Sequence, residues 1–204
     1  MSEFDRKARD WDADAAKVAR AERVAEAIHA LGGDLSRRSA LEVGCGTGLL
    51  GFALRPHVAR MTLADTSAGM LEVLREKIAA SGLDGMEALQ HDFTQGPLPE
   101  ARYGLLCSLM TFHHIPDTDD ALRRFHGLLE PGGLLAIADL DAEDGSFHGP
   151  EVPVHRGFDR EDLKARLLKA GFRDIRFGTP YVIDRETAGG PRRFPVFLAL
   201  AGKA

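Results

Sequence analysis

Ser39-Ala40-Leu41-Glu42-Val43-Gly44-Cys45-Gly46-Thr47-Gly48 is the stretch on which the fold turns. Ser39 to Val43 reads as a short apolar strand, and it runs straight into a glycine-rich turn. A brief helix follows from Leu49 to about Leu54, before Pro56. Glycines in such a turn let backbone approach a ligand without Cβ atoms in the way. A dinucleotide turn wants Gly-x-Gly-x-x-Gly, but Leu49 occupies the place of the third glycine. A P-loop needs Gly-Lys-Ser/Thr after the turn, and no lysine is there. Pyrophosphate and triphosphate ligands are both disfavoured. A nucleoside without phosphates fits better.

Outward from this turn, strands alternate with helices. Apolar residues recur at helical spacing from Trp11 to Leu31, and Gly32-Gly33 ends that helix. Val58 to Ala64 reads as a strand stopping at Asp65, and Thr66 or Ser67 can cap the helix after it, closed by Gly82. Met86 to Gln90 and Tyr103 to Ser108 are further strands, and Asp117 caps a helix carrying Leu122, Phe125, Leu128 and Leu129. Pro131-Gly132-Gly133 reads as a turn before the strand Leu134 to Leu140. After a helix capped at Asp159, Ile175 to Ile183 and Phe194 to Ala201 follow as two strands joined by a loop, Asp184 to Arg193. The fold class expected is α/β: a Rossmann-like, doubly wound, mostly parallel seven-stranded sheet with a C-terminal antiparallel strand pair. A single domain is expected over 1–204, with 1–35 as an N-terminal helical lid or cap segment and 36–204 as the core.

Bulk properties narrow the class. The 204 residues can bury roughly 70% of the unfolded chain's surface in one or two cores. A net charge of −5 gives no general attraction to phosphate backbones or anionic membranes, so neither nucleic acid nor membrane is an expected partner. The two cysteines, Cys45 and Cys107, suggest no disulfide framework; no zinc-ligand spacing occurs, and no metal is expected. With a charged N-terminus and no membrane-length apolar run, the expected setting is cytoplasmic. Oligomeric state is left open.

In an open parallel sheet, ligands sit beyond the carboxyl ends of the strands. The glycine turn, Asp65, Asp92 and the Thr111 to His114 segment fall there. A carboxylate ending the second strand can accept hydrogen bonds from a ribose diol. Leu41 to Gly48 resembles the first motif of class I S-adenosylmethionine-dependent methyltransferases. Asp65 to Leu71 resembles that family's second-strand acid and following helix, and His91-Asp92-Phe93 its adenine-binding turn. Phe112-His113-His114-Ile115-Pro116-Asp117 resembles its segment after the fourth strand, in the manner of the ubiquinone-biosynthesis-like, small-molecule branch. Leu129-Glu130-Pro131-Gly132-Gly133 resembles the turn before its fifth strand.

The resemblance implies S-adenosylmethionine as cofactor, with S-adenosylhomocysteine as product. Glu42 would help hold the cofactor's amino group. Gly44, Cys45, Gly46 and Gly48 would let backbone wrap its methionine and ribose portion. Asp65 would take the ribose hydroxyls, while Thr66 and Met70 border the adenine. Asp92 would accept from the adenine amino group, with Phe93 beside the ring. Ser108 and Met110 would lie near the methionine arm. The family often has an apolar residue where this chain has Thr66, which implies weaker adenine burial.

Methyl transfer is an in-line displacement from a sulfonium whose leaving group is already good, so alignment and exclusion of water dominate. A base is needed only if the acceptor must lose a proton. His113 and His114 are the candidate catalytic residues, and the plainer role for one of them is to bond backbone and pack under the cofactor. Trp11, His113, His148 and His155 are candidate substrate contacts; for the last two a solvated loop position is the plainer account. Trp11 and Phe4 either close over the site or anchor the first helix. The expected activity is methyl transfer to a small-molecule acceptor. The alternatives are a protein that binds the same nucleosides without transfer, as a sensor or partner subunit, and an aminopropyl transferase using Asp139, Asp141, Glu143 and Asp144 toward a polyamine. The absence of Asn/Asp-Pro-Pro-Tyr/Phe after the fourth strand, where Ser108-Leu109-Met110-Thr111 stands, argues against base methylation.

Overall fold

Side chains of β1 (Ser39–Val43) alternate between two apolar layers, and this places it mid-sheet. Ala40 enters one layer, while Leu41 and Val43 enter the other. The computed structural model describes residues 3–149 and 152–204. Seven strands run in the order β3-β2-β1-β4-β5-β7-β6. The remaining strands are β2 (Arg60–Asp65), β3 (Met86–Gln90), β4 (Tyr103–Leu109), β5 (Leu129–Leu140), β6 (Phe172–Thr187) and β7 (Gly190–Lys203). The first five are mutually parallel; β7 pairs antiparallel with both β5 and β6. This is the doubly wound sheet with a terminal antiparallel pair that the alternation implies.

The helices are α1 (Glu3–Lys7), α2 (Ala15–Gly32), α3 (Leu49–Leu54), α4 (Ala68–Ser81), α5 (Thr118–Leu128) and α6 (Arg160–Lys169). On one face α2, α3 and α4 bury Val24, Ile28, Leu50, Leu54, Leu71 and Leu74. On the other, α5 and α6 bury Leu122, Phe125, Leu128, Leu163 and Leu167. Ser67, Asp117 and Asp159 accept from backbone N–H groups as the caps expected of them.

Three local expectations are corrected. The first long helix does not start at Trp11: Asp14 accepts from the Ala16 and Lys17 N–H groups and starts it there, leaving Trp11 in a 3-10 turn, Ala8–Ala13. Pro131-Gly132-Gly133 is no separate turn but an irregularity within β5, where its register with β4 shifts. Asp184 to Arg193 is not a loop: the β6–β7 ladder continues to the pair Thr187–Gly190. Most side chains from Asp184 to Arg193 are solvated, so the apolar alternation that marks a strand is missing there.

Candidate active site

At the carboxyl ends of β1, β2 and β4 the backbone turns away from the sheet. Gly44, Gly46 and Gly48 all have positive φ, at 70°, 55° and 84°. Their surroundings differ. A Cβ on Gly44 would lie 2.2 Å from Thr111 Cγ2, and one on Gly48 would lie 2.7 Å from a Leu74 methyl. These two glycines let the turn sit close against β4's exit and α4. Only Gly46 faces space: a Cβ there would meet nothing nearer than Met70 Sδ and Trp11 Nε1, each at 3.9 Å. The Gly44→Ala variant should therefore lose about 1–3 kcal/mol of stability through overpacking and the left-handed backbone. Urea unfolding reads it, and an unchanged midpoint would mean that Thr111 yields freely.

Asp65 ends β2 beside this turn. Its Oδ2 accepts from Gly46 N–H and its Oδ1 from Ser67 N–H, both at 2.8 Å. Each oxygen keeps lone-pair capacity for a further donor. Glu42 is 2% exposed, and its Oε2 has no hydrogen-bond partner among the described residues. Burial pushes its carboxyl up to about 8, with the Gly51 N–H offsetting part of the effect. Ser108 Oγ, on the adjacent strand β4, is likewise buried and unpartnered. Orphaned polar atoms of this kind are expensive without a partner, and they suit a ligand rich in hydrogen-bonding groups.

Asp92 is engaged with its own turn: Oδ1 accepts from the Thr94 N–H and hydroxyl, and Oδ2 from Gln95 Nε2. Phe93 is buried in the second apolar layer, and His91 stands edge-on to it at 4.4 Å. Met70 is buried, Cys45 is buried and Thr66 is exposed. Met110 has a φ of 54°, unusual for a non-glycine residue, at the exit of β4.

The next cluster is built from two segments far apart in sequence. His113 is 1% exposed, and its Nδ1 lies 2.7 Å from Asp139 Oδ1 at the end of β5. Asp139 also accepts from His113 N–H and Leu140 N–H. His148 brings its Nε2 to 3.0 Å from His113 Nε2. His114 is exposed, with its ring 4.2 Å from that of His113. His155 turns away: its Nε2 meets the Ile115 and Pro116 carbonyls, and its N–H donates to His113 O. It straps the 141–158 segment to the turn after β4.

Residues 3–14 lie across the glycine turn. Asp5 accepts from Ser67 Oγ and Gly69 N–H. Asp12 accepts from Thr47 Oγ1 and Lys77 Nζ, both at 2.5 Å, and Lys77 also reaches Thr47 O. Phe4 is edge-on to Trp11 and His114, while Lys17 Nζ lies 4.0 Å over the Trp11 ring. Trp11 thus borders the cleft rather than entering either apolar layer.

Sequence reasoning missed three groups. In the sequence Asp139 stands out only as a candidate polyamine ligand, and Asp12 carries no signal at all. Arg20, on α2, has a buried Nε with no hydrogen-bond partner among the described residues. Burial lowers its guanidinium pKa, with Tyr181, Asp14 and Asp139 acting against that. Asp139 and Asp12 have no local spacing signal, because each bonds a segment distant in sequence. The other acids proposed for a polyamine are committed elsewhere: Asp141 pairs with Arg160, Asp144 with Arg192, and Glu143 accepts from Gly145 and Phe147 N–H.

Over 213 residues the chain is 30% identical to the malonyl-[acyl-carrier protein] O-methyltransferase of Geobacter sulfurreducens, covering 96% of this chain and 76% of that protein. It belongs to the class I S-adenosylmethionine-dependent methyltransferases. The methyltransferase domain family model matches residues 40–133 of this methyltransferase. An uncharacterised methyltransferase of Mycobacterium tuberculosis is 35% identical over 103 residues, 50% of this chain and 51% of that protein, so this match spans about half of each. The fold is shared with a SAM-dependent methyltransferase from Aquifex aeolicus, at TM-score 0.66 and 22% identity, covering 88% of this chain and 89% of that one. It is also shared with phosphoethanolamine N-methyltransferase 2 of Haemonchus contortus in complex with S-adenosyl-L-methionine, at TM-score 0.70 and 15% identity, covering 88% of this chain and 52% of that one. The cofactor of this methyltransferase is S-adenosylmethionine, and the open face of Gly46 and Glu42 Oε2, unpartnered among the described residues, fit it. No helix among the described residues is long and apolar enough to cross a membrane.

Proposed function

We propose that the chain transfers the cofactor's methyl group to a small-molecule acceptor by in-line displacement. The observation that carries the reading is the buried Glu42 Oε2, unpartnered among the described residues, beside the Asp65-braced glycine turn, with the imidazole cluster across the exit of β4. The cofactor supplies an electrophilic methyl group. Glu42 meets its ammonium, and Arg20, whose buried Nε has no hydrogen-bond partner among the described residues, meets its carboxylate. Asp65 takes the ribose hydroxyls, and Asp92 the adenine amino group. Ser108 and Met110 border the methionine arm. His113, His114 and His148 form the acceptor side, with His113 held in place by Asp139. The segment carrying Phe4 and Trp11 is the lid that excludes water.

A titration with S-adenosylmethionine, S-adenosylhomocysteine and NAD tests the cofactor half of this reading. Glu42 adds a signature. A carboxyl raised to about 8 keeps its proton at neutral pH, and an ammonium placed beside it lowers that value again. Binding near pH 7 should therefore release a proton, seen as a calorimetric heat that varies with the buffer's ionisation enthalpy. Glu42→Gln should abolish that dependence. The sign also applies to stability. The folded pKa lies above the ordinary 4.5, so the contribution is fully present below about 4.5 and is lost as pH rises through about 8. Formation of S-adenosylhomocysteine that depends on an added acceptor tests the transfer half. Nucleoside binding with no turnover over a broad acceptor panel would favour the sensor alternative.

A further inference from the structure

His113, His114 and His148 each offer a ring nitrogen, and these atoms all lie within 4.8 Å of one another. We infer that these three imidazoles form a binding site for a divalent transition metal of the zinc type, with Asp139 as the carboxylate that orients His113.

The tautomer argument comes first. Asp139 is fully buried and accepts from His113 Nδ1, so Nδ1 carries the proton and Nε2 presents its lone pair. A carboxylate behind a histidine in this way fixes the ring's orientation and raises its basicity as a ligand. Asp139 is itself braced by two backbone N–H groups, from His113 and Leu140. The lone pair of His113 therefore has a set direction.

The distances follow. Zinc–nitrogen bonds of roughly 2.0–2.1 Å at tetrahedral angles put ligand nitrogens about 3.3 Å apart. His113 Nε2 and His148 Nε2 stand 3.0 Å apart, so a small rotation of the half-buried His148 ring meets that spacing. His114 is exposed and reaches the third position by a change of side-chain torsion. Three imidazoles with the fourth position open is the donor set of a catalytic rather than a structural zinc site. Chain spacing offers no hint of it, because two ligands come from the turn after β4 and the third from the segment after β5.

What the metal does there rests on the methyl-transfer reading: held on the acceptor side, it would polarise an acceptor hydroxyl and favour loss of its proton to solvent water, leaving an oxygen able to form the O–C bond as the sulfonium's C–S bond breaks. Whether it binds does not depend on that reading. The experiment is titration of the metal-stripped protein with Co²⁺, followed by visible absorption, and with Zn²⁺, followed by calorimetry. One equivalent should bind with the intense bands of a tetrahedral cobalt site. His148→Ala and His114→Ala should abolish those bands. Asp139→Asn, which keeps the shape but presents an amide to Nδ1, should weaken binding about 10–100-fold.

His29 and His57 stack at 4.0 Å elsewhere on the molecule and offer an internal control. Metal bound equally by wild type and His148→Ala, but lost in His29→Ala, would place it there and overturn the inference. So would the absence of stoichiometric binding. S-adenosylhomocysteine affinity, measured on the same samples, tests the nucleoside site separately; its failure with an intact cobalt spectrum would strike the methyltransferase reading alone.

Discussion

Asp65→Ala should weaken S-adenosylmethionine binding by about two orders of magnitude or more, the weight of two hydrogen bonds to a charged acceptor at roughly 1.5–3 kcal/mol each. Each Asp65 oxygen already accepts one backbone N–H, from Gly46 or Ser67. These bonds fix the carboxylate plane and leave the outward lone pairs for the ribose diol. The same bonds also brace the glycine turn, so the variant loses part of its binding through a looser Gly46. Asp65→Asn separates the two effects, since its single carbonyl oxygen can hold one N–H while its amide cannot accept. An intermediate affinity is expected. Calorimetry measures both variants, and an Asp65→Ala affinity within about threefold of wild type would end the ribose assignment.

Asp139→Ala should cost about 3–5 kcal/mol of stability, near the upper end for a single substitution. The carboxylate is wholly buried and accepts from three donors: His113 N–H at 3.0 Å, His113 Nδ1 at 2.7 Å and Leu140 N–H at 2.7 Å. Alanine leaves all three without an acceptor in a site closed to water, and each orphaned donor costs roughly 1–3 kcal/mol. Asp139→Asn should cost less, because an oxygen remains for one of them. Denaturant unfolding with an unchanged m-value gives the number. A loss below about 1 kcal/mol would show that water enters and replaces the carboxylate. In the surviving folded protein, turnover should fall further than cofactor affinity, because His113 stands on the acceptor side.

The parallel half of the sheet is legible in the sequence because each of its elements carries its own boundary signal. Ser67, Asp117 and Asp159 stand where helices need a side-chain acceptor, and apolar runs such as Leu134 to Leu140 can sit only in a strand covered on both faces. The outer part of the β6–β7 hairpin is illegible because most of its side chains from Asp184 to Arg193 are polar and exposed, which conceals the ladder. Trp11 misled the helix start because an aromatic ring bordering a cleft satisfies the same periodicity as one in a core. Within the proposed site, the groups assigned to the cofactor lie mainly between residues 41 and 93, where they follow consecutive strands. The pairing of His113 with Asp139 and His148 cannot be read in that way, since it depends on which strands become neighbours and on the return path of residues 141–158.

The place of β7 has a consequence for how the protein is made. This strand enters between β5 and β6, pairing Leu134 to Leu140 of β5 with Gly202 to Val196. A growing chain that has not yet released those residues carries β5 as an open, apolar edge, the kind of edge that recruits strands from other molecules. Asp139 sits in that ladder, opposite Phe197. The backbone that carries the Asp139 carboxylate therefore gains its β7 neighbour only after residues 196 to 202 have been made. A chain truncated before β7 would keep the glycine turn between β1 and α3 but leave the strand that carries Asp139 with an unpaired edge.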